Sequence, residues 1–246
     1  VRSVASYGKS ETESKAPILI VGAGGLGAPA ALALARANCG PLLLVDPDPV
    51  ELSNLPRQII YGEADIGSAK AVAAARRLAK IARDLSVETA VARLDERNAS
   101  RYISRADFVI DATDDPAAKF LINDVCVELG RPFVYGGVLG LSGQAMTVMP
   151  GETACLRCLF ETPPDIEETA SCRDAGIIGP VVGAIGTLQA SEAIRAAAGI
   201  RPTLAGKILT LDGSRAGRIR IAPIAARPGC ACGAARAQLS AANAAH

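Results

Sequence analysis

The ten residues ILIVGAGGLG, Ile18 to Gly27, restrict the fold of this chain more than any other stretch. Four consecutive apolar residues read as a short strand buried on both faces, the kind found in parallel sheets. Four glycines in the next six positions force a tight turn, and an alanine-rich run of helical period starts behind them. Gly22, Gly24 and Gly27 stand at the spacing of a dinucleotide fingerprint: the first permits the turn, the second lets phosphate approach the backbone, the third packs helix on strand. Backbone N–H groups and the helix dipole in such a turn face an anion. Asp46, at the end of the next apolar run, stands where a carboxylate accepts bonds from ribose hydroxyls. Taken alone, the turn fits NAD and a nucleoside triphosphate equally, and a purely structural turn is the third reading.

The rest of the chain extends this pattern. Apolar runs of strand length fall at Ile18 to Val21, Leu42 to Val45, Val87 to Arg93, Phe108 to Ile110 and Phe133 to Tyr135. Between them, Ala28 to Asn38, Ala69 to Arg83 and Pro116 to Leu129 carry apolar residues at three and four spacing, which predicts crossover helices. From Ser142 the pattern changes to GQAMTVM, KILTLD and GRIRIA, read as strands of an antiparallel extension that forms a second layer, with a helix at Val181 to Ala198. The expected fold is α/β, a Rossmann-like, doubly wound, mainly parallel sheet with a C-terminal antiparallel extension. At 246 residues this makes one domain, divided into an N-terminal segment at 1–17, a first half at 18–141, a second half at 142–233 and a frayed tail at 234–246. A loop rich in Pro and Glu, TPPDIEETAS, is expected to be mobile.

Composition excludes several classes. With 26 basic and 25 acidic residues the formal net charge is +1, so no cationic footprint for nucleic acid is present and small molecules or proteins are the expected partners. Residues Ala16 to Ala35 run without a charge, long enough for a membrane helix, but the glycines and prolines within divide them into strand, turn and helix, and no membrane span is expected. The stretch VRSVASYGKSETESK lacks the apolar core of a signal peptide. Seven cysteines, an odd number, suit reduced thiols, which places the chain in the cytoplasm.

Two further segments bring chemistry to the same sheet edge. DPDPVELSNLPRQ, Asp46 to Gln58, delivers Asn54 and Arg57 beside the glycines, and a guanidinium there suits charge building on a transferring phosphoryl group better than hydride transfer. Lys70 follows in DIGSAK at the start of a helix, a place for a phosphate-binding ammonium; a solvated surface lysine is the alternative. The fourth strand ends in DATDD, with Asp114 just beyond its carboxyl end, where a carboxylate beside a triphosphate points to Mg²⁺. Asp111 and Asp115 fit helix capping.

GAGGLG, VDPDPVELSNLPRQ, DIGSAK, DATDD, CLRC and SCRDAGIIGPVVGAIGTLQASEAI, in this order, resemble the MoeB/ThiF/HesA enzymes, relatives of the ubiquitin-activating enzymes, over nearly the whole chain from Ile18 to Gly233. The resemblance implies an adenylyltransferase: the C-terminal Gly-Gly carboxylate of a small ubiquitin-like sulfur carrier (MoaD/ThiS-like) attacks the α-phosphate of ATP and pyrophosphate leaves, a step in sulfur transfer for molybdopterin or thiamine-type biosynthesis. It makes 18–141 the nucleotide-binding half and 142–233 the carrier-binding and zinc half. Carried over by residue, Gly22, Gly24, Gly25, Gly27 and Asp46 bind the nucleotide and its ribose, and Ser53, Asn54, Arg57 and Gln58 line the phosphates. Arg57 stabilises developing charge, Lys70 contacts the phosphates, Asp114 holds Mg²⁺, and Asp115 lies beside it. A homodimer and a separate sulfur donor are implied as well. Relatives commonly open with an arginine-containing segment that reaches a partner's ATP; so near the glycine turn such a segment is not expected in the residues given, and Arg2 does not align with it. An NAD-dependent oxidoreductase and a non-catalytic carrier-docking subunit are the competing readings.

Cys155 and Cys158 in CLRC have zinc-ligand spacing, and Cys230 and Cys232 in GCACG can complete a four-thiolate tetrahedron, the form of a structural zinc site. The resembling family has two residues between the second pair where this chain has one. Cys172 in SCRDAG matches the family's reactive cysteine, and Arg173 beside it favours the thiolate; an unreactive loop thiol is the alternative. Cys39 and Cys126 lie in apolar segments read as helical core.

Overall fold

A computed structural model describes residues 16–163, 178–215 and 217–233. Strands β1 (Ile18–Val21), β2 (Leu42–Val45), β3 (Val87–Ala90) and β4 (Phe108–Asp111) are parallel and alternate with helices α1 (Gly27–Arg36), α2 (Lys70–Ile81) and α3 (Ala99–Ile103). Then come α4 (Pro116–Glu128), β5 (Phe133–Leu139), β6 (Ser142–Val148), the single turn α5 (Leu156–Leu159), the long α6 (Gly179–Ala197), β7 (Lys207–Asp212) and β8 (Arg218–Pro223). All eight strands share one sheet, in the order β3-β2-β1-β4-β5-β6-β7-β8. The first five run parallel; β6, β7 and β8 each pair antiparallel with the strand before.

The expected fold class holds, with three adjustments. The antiparallel strands continue the parallel sheet edgewise and do not stack on it as a second layer. The third strand stops at Ala90, three residues short of expectation, while β5 runs on past Tyr135 to Leu139 because it pairs with β6 over its whole length. Cys39 falls in the turn after α1, whereas Cys126 is fully buried within α4 as expected. The charge-free run from Ala16 divides into β1, the glycine turn and α1, and among the described residues no helix is long and apolar enough to cross a membrane.

Strand alternation sorts the core into two layers. Ile18, Ile20, Leu42, Leu44, Phe108 and Ile110 face α1, α2 and α6. Leu19, Val21, Leu43, Val45 and Val109 face α3, α4 and the cysteine turns. Helices on both faces explain why these strands carry almost no polar residue. Pro116 occupies the first turn of α4, where its missing N–H costs nothing, and the Asp115 carboxylate accepts the Ala117 N–H at 3.0 Å, so Asp115 is the helix cap.

Candidate functional site

With β1 between β2 and β4, chain direction across the sheet reverses at β1, and the loops leaving β1 and β4 meet beyond the carboxyl ends of the strands, where open α/β sheets bind ligands. The glycines make that meeting possible. Gly22 has φ of +93°, and a Cβ there would come within 2.7 Å of the Ala112 carbonyl oxygen in the loop after β4. A Cβ on Gly27 would overlap the Gly22 carbonyl, so the helix could not approach the strand end. Gly24 faces the amide nitrogen of Gln58 at 3.5 Å from an added Cβ, and Gly25 packs on α6, where an added Cβ would lie 2.7 Å from Val182 Cγ1. Gly25 thus serves a helix contact that sequence spacing did not reveal.

Asp46 follows the last residue of β2 and is buried. Its Oδ2 accepts the Ala23 N–H at 2.7 Å and its Oδ1 the Asp48 N–H at 2.8 Å, so the carboxylate braces the glycine turn. Burial raises its pKa, opposed by those two N–H groups and by the charge of Lys70. Lys70 is the first residue of α2, buried, with Nζ 3.1 Å from Asp48 Oδ2.

The loop after β2 forms a 3-10 turn at Leu52–Asn54. Asn54 is buried and accepts the Glu51 N–H through Oδ1 at 3.2 Å, while Ser53 is exposed and its hydroxyl donates to Glu51 Oε2 at 3.3 Å. Arg57 is half-buried, its guanidinium donating to the Ser53 carbonyl at 2.9 Å. Gln58 is buried, and among the described residues its side-chain oxygen has no hydrogen-bond partner. An orphaned amide oxygen beside the glycine turn is the sort of group a ligand satisfies. The start of α6 rests on this loop, since a Cβ on Gly179 would lie 3.0 Å from the Pro56 carbonyl oxygen.

Beyond β4, Asp114 is exposed, and among the described residues nothing engages its carboxylate. The turn that carries it is held from below: buried Asp111 accepts the Thr113 N–H at 3.1 Å and the Thr113 hydroxyl at 2.7 Å. Asp111 therefore caps no helix; its charge is met by Lys119 from α4, which also donates to the Gly136 carbonyl at 2.5 Å. Lys119, Asp48, Tyr61 and Gln189 shape this region and escaped the sequence reading. One signal was present for Lys119: it shares the stripe of Ile122, Asn123 and Cys126, and a cation on a buried helix stripe implies a buried acid facing it.

On the opposite helical layer Cys155, Cys158, Cys230 and Cys232 bring their sulfurs within 4.8 Å of one another. Cys155 lies 3.6 Å from Cys230 and Cys158 3.4 Å from Cys232, close to the separation of about 3.8 Å that four thiolates adopt round zinc at 2.3 Å. The one-residue spacing of the second pair does not prevent convergence. Second contacts support the site: the Arg227 N–H reaches Cys158 Sγ at 3.3 Å, Asn123 Oδ1 accepts the Leu156 N–H at 2.8 Å, and Arg157 grips Asp124 with two bonds of 2.6 and 2.7 Å. Four convergent sulfurs with no open position can hold a metal. Cys172 and most of the TPPDIEETAS loop lie outside the described residues.

Comparison with known proteins follows the same lines. The model of the ThiF family matches residues 3–233. The adenylyltransferase and sulfurtransferase MOCS3 of Anopheles gambiae is 41% identical over 217 residues, which cover 88% of this chain and 49% of that protein. Its namesake in Arabidopsis thaliana is 42% identical over 213 residues, 87% of this chain and 46% of the relative. The chain spans about half the length of these curated relatives. The crystal structure of E. coli MccB with ATP superposes at a TM-score of 0.77 with 22% identity, covering 89% of this chain and 67% of that one, a likeness of fold.

Proposed function

Because the chain belongs to the ThiF family, we propose that it is an adenylyltransferase which activates the C-terminal carboxylate of a Gly-Gly-ended, ubiquitin-like sulfur carrier protein at the expense of ATP, in sulfur transfer of the molybdopterin or thiamine type. The observation that supports this reading most is the bracing of the glycine turn by buried Asp46, which accepts the Ala23 N–H, with Lys70 paired to Asp48 two residues on and the backbone of Arg57 packed close to Gly25. Two cations are less useful to a hydride transfer, in which no charge builds on a phosphate. A nucleotidyl transfer uses both, since negative charge accumulates on the departing pyrophosphate.

In this reading Gly22, Gly24 and Gly27 admit the nucleotide against the backbone, with Gly25 keeping α6 close behind, and Asp46 takes the ribose hydroxyls on lone pairs left by its two backbone bonds. Gln58 gains a partner for its orphaned oxygen. Ser53 and Asn54 shape the loop that aims Arg57. A carboxylate oxygen of the carrier bonds to the α-phosphorus, the bond from that phosphorus to the α–β bridging oxygen breaks, and the electron pair leaves on pyrophosphate. Arg57 and Lys70 neutralise that charge, and Asp114 would hold the Mg²⁺ that shields it. The protein need supply no covalent intermediate for this step. The four cysteines would hold a structural zinc, which supplies cross-linking and no chemistry. Action as a homodimer belongs to the same reading.

Exchange of radiolabelled pyrophosphate into ATP tests it. Exchange that appears only with Mg²⁺ and a carrier whose Gly-Gly terminus is intact is expected. Binding of NAD in preference to ATP would replace the reading with an oxidoreductase; tight carrier binding without exchange would leave a docking subunit.

A further inference from the structure

The glycine turn and the amino end of α2 are joined by a closed circuit of hydrogen bonds. Asp46 Oδ2 accepts the Ala23 N–H at 2.7 Å; the Ala23 carbonyl accepts the Tyr61 hydroxyl at 2.8 Å; the same hydroxyl lies 3.1 Å from the Lys70 carbonyl. Lys70 returns to Asp48 through Nζ at 3.1 Å and through its backbone N–H, which donates to the Asp48 carbonyl at 2.9 Å. The Asp48 N–H closes the ring on Asp46 Oδ1 at 2.8 Å. Each link except the last joins residues at least nine apart in sequence, and three separate segments meet in it.

The chemistry above leaves two members unused, exposed Asp48 and Tyr61. Tyr61 is the one that joins separate elements. It is buried, so its ring is no accident of the surface, and its one proton is shared between two carbonyls that belong to different elements. Burial and the negative charges of Asp46 and Asp65 push its ionisation far up, so the hydroxyl stays a donor. Resting on the adenylation reading, we propose that Tyr61 is a positioning residue: its hydroxyl sets the distance between the glycine turn, which meets the nucleoside and α-phosphate, and Lys70, which meets the outer phosphates. Asp48 plays the lesser part of aiming the Lys70 ammonium.

The consequence is selective. A ligand that touches only the glycine turn and Asp46, such as AMP, does not register the separation; ATP, which must touch Lys70 too, does. Removing the hydroxyl should therefore weaken ATP binding by about tenfold and leave AMP within about twofold.

Equilibrium dialysis of ATP with Mg²⁺, and of AMP, on the parent, Tyr61→Phe, Lys70→Ala and the double variant tests this. The ratio of the two affinities within each variant is independent of general loss of stability. The proposal expects a changed ratio in Tyr61→Phe and no further change when Tyr61→Phe is added to Lys70→Ala, because the phenol acts through that lysine. Equal weakening of both nucleotides, or additive losses in the double variant, would overturn it while leaving the adenylation reading in place. A parent protein that binds neither nucleotide overturns the reading itself, and the role of Tyr61 with it.

Discussion

The ammonium of Lys119 lies 3.3 Å from both carboxylate oxygens of Asp111; Asp111 is fully buried and the Lys119 side chain is only 11% exposed. The lysine also reaches the Gly136 carbonyl and stands 5.1 Å from the centre of the Tyr135 ring. One cation thus ties the end of β4 to β5, and its acid partner folds the Thr113 turn under Asp114.

Breaking that pair should be costly because the remaining charge is stranded. Lys119→Met is expected to lower stability by about 3–5 kcal/mol, which at about 2–4 °C per kcal/mol for a chain of this size is a fall of roughly 10 °C in Tm. Adding Asp111→Asn should recover part of the loss. Thermal unfolding of the three proteins checks this, and additive losses would contradict a direct pairing.

Gly25 and Val182 are predicted to be coupled through shape. Gly25→Ala places a methyl group 2.7 Å from Val182 Cγ1, which should destabilise by about 1–3 kcal/mol through overpacking. Val182→Ala in the same protein should relieve most of the strain. A denaturant-based double-mutant cycle measures the coupling, which is expected to be favourable in the double variant.

Purified protein should contain about one zinc per chain, bound by the four convergent thiolates. Cys232→Ala is expected to lower the zinc content measured by atomic absorption to well under half, and stripping the metal with a chelator should lower Tm in the parent more than in the variant. Protein isolated with full thiol reactivity and no metal would argue against a zinc staple.

Arg57 and Asp114 should fail differently. Arg57→Ala is expected to slow pyrophosphate exchange by about 100-fold or more, the loss typical of removing one donor to developing charge. Asp114→Asn should instead raise the Mg²⁺ concentration needed for half-maximal exchange. Variants that exchange as fast as the parent at every Mg²⁺ concentration would remove both residues from the site.

Much of the fold is legible locally. The strand, turn and helix from Ile18 to Arg36 are written in four apolar residues, four glycines and an alanine-rich run, and structure and reading agree there almost to the residue. Strand ends are less legible: β5 outruns its apolar segment because β6 offers partners for Gly136 to Leu139, and those partners are not visible from β5 alone. In the proposed site, Asp46, Lys70 and Asp114 are named from their places after strands or before helices, positions whose physics is local. Tyr61 could not be, since nothing in IIYGE distinguishes a phenol that latches two loops from an ordinary core tyrosine.

The sequence by itself determined the alternation of short buried strands with amphipathic helices and the glycine turn at the head of the first of them. Those features depend on side-chain period and backbone freedom within a few residues. Only the tertiary structure decided that Tyr61 meets Ala23, that Val182 covers Gly25, that Lys119 answers Asp111 and that Cys155 finds Cys230 across 75 positions. Hydrogen bonds, ion pairs and thiolate ligands act over a few ångströms of space, whatever the length of chain between them. Their partners exist only once the strand order has brought distant loops to the same edge.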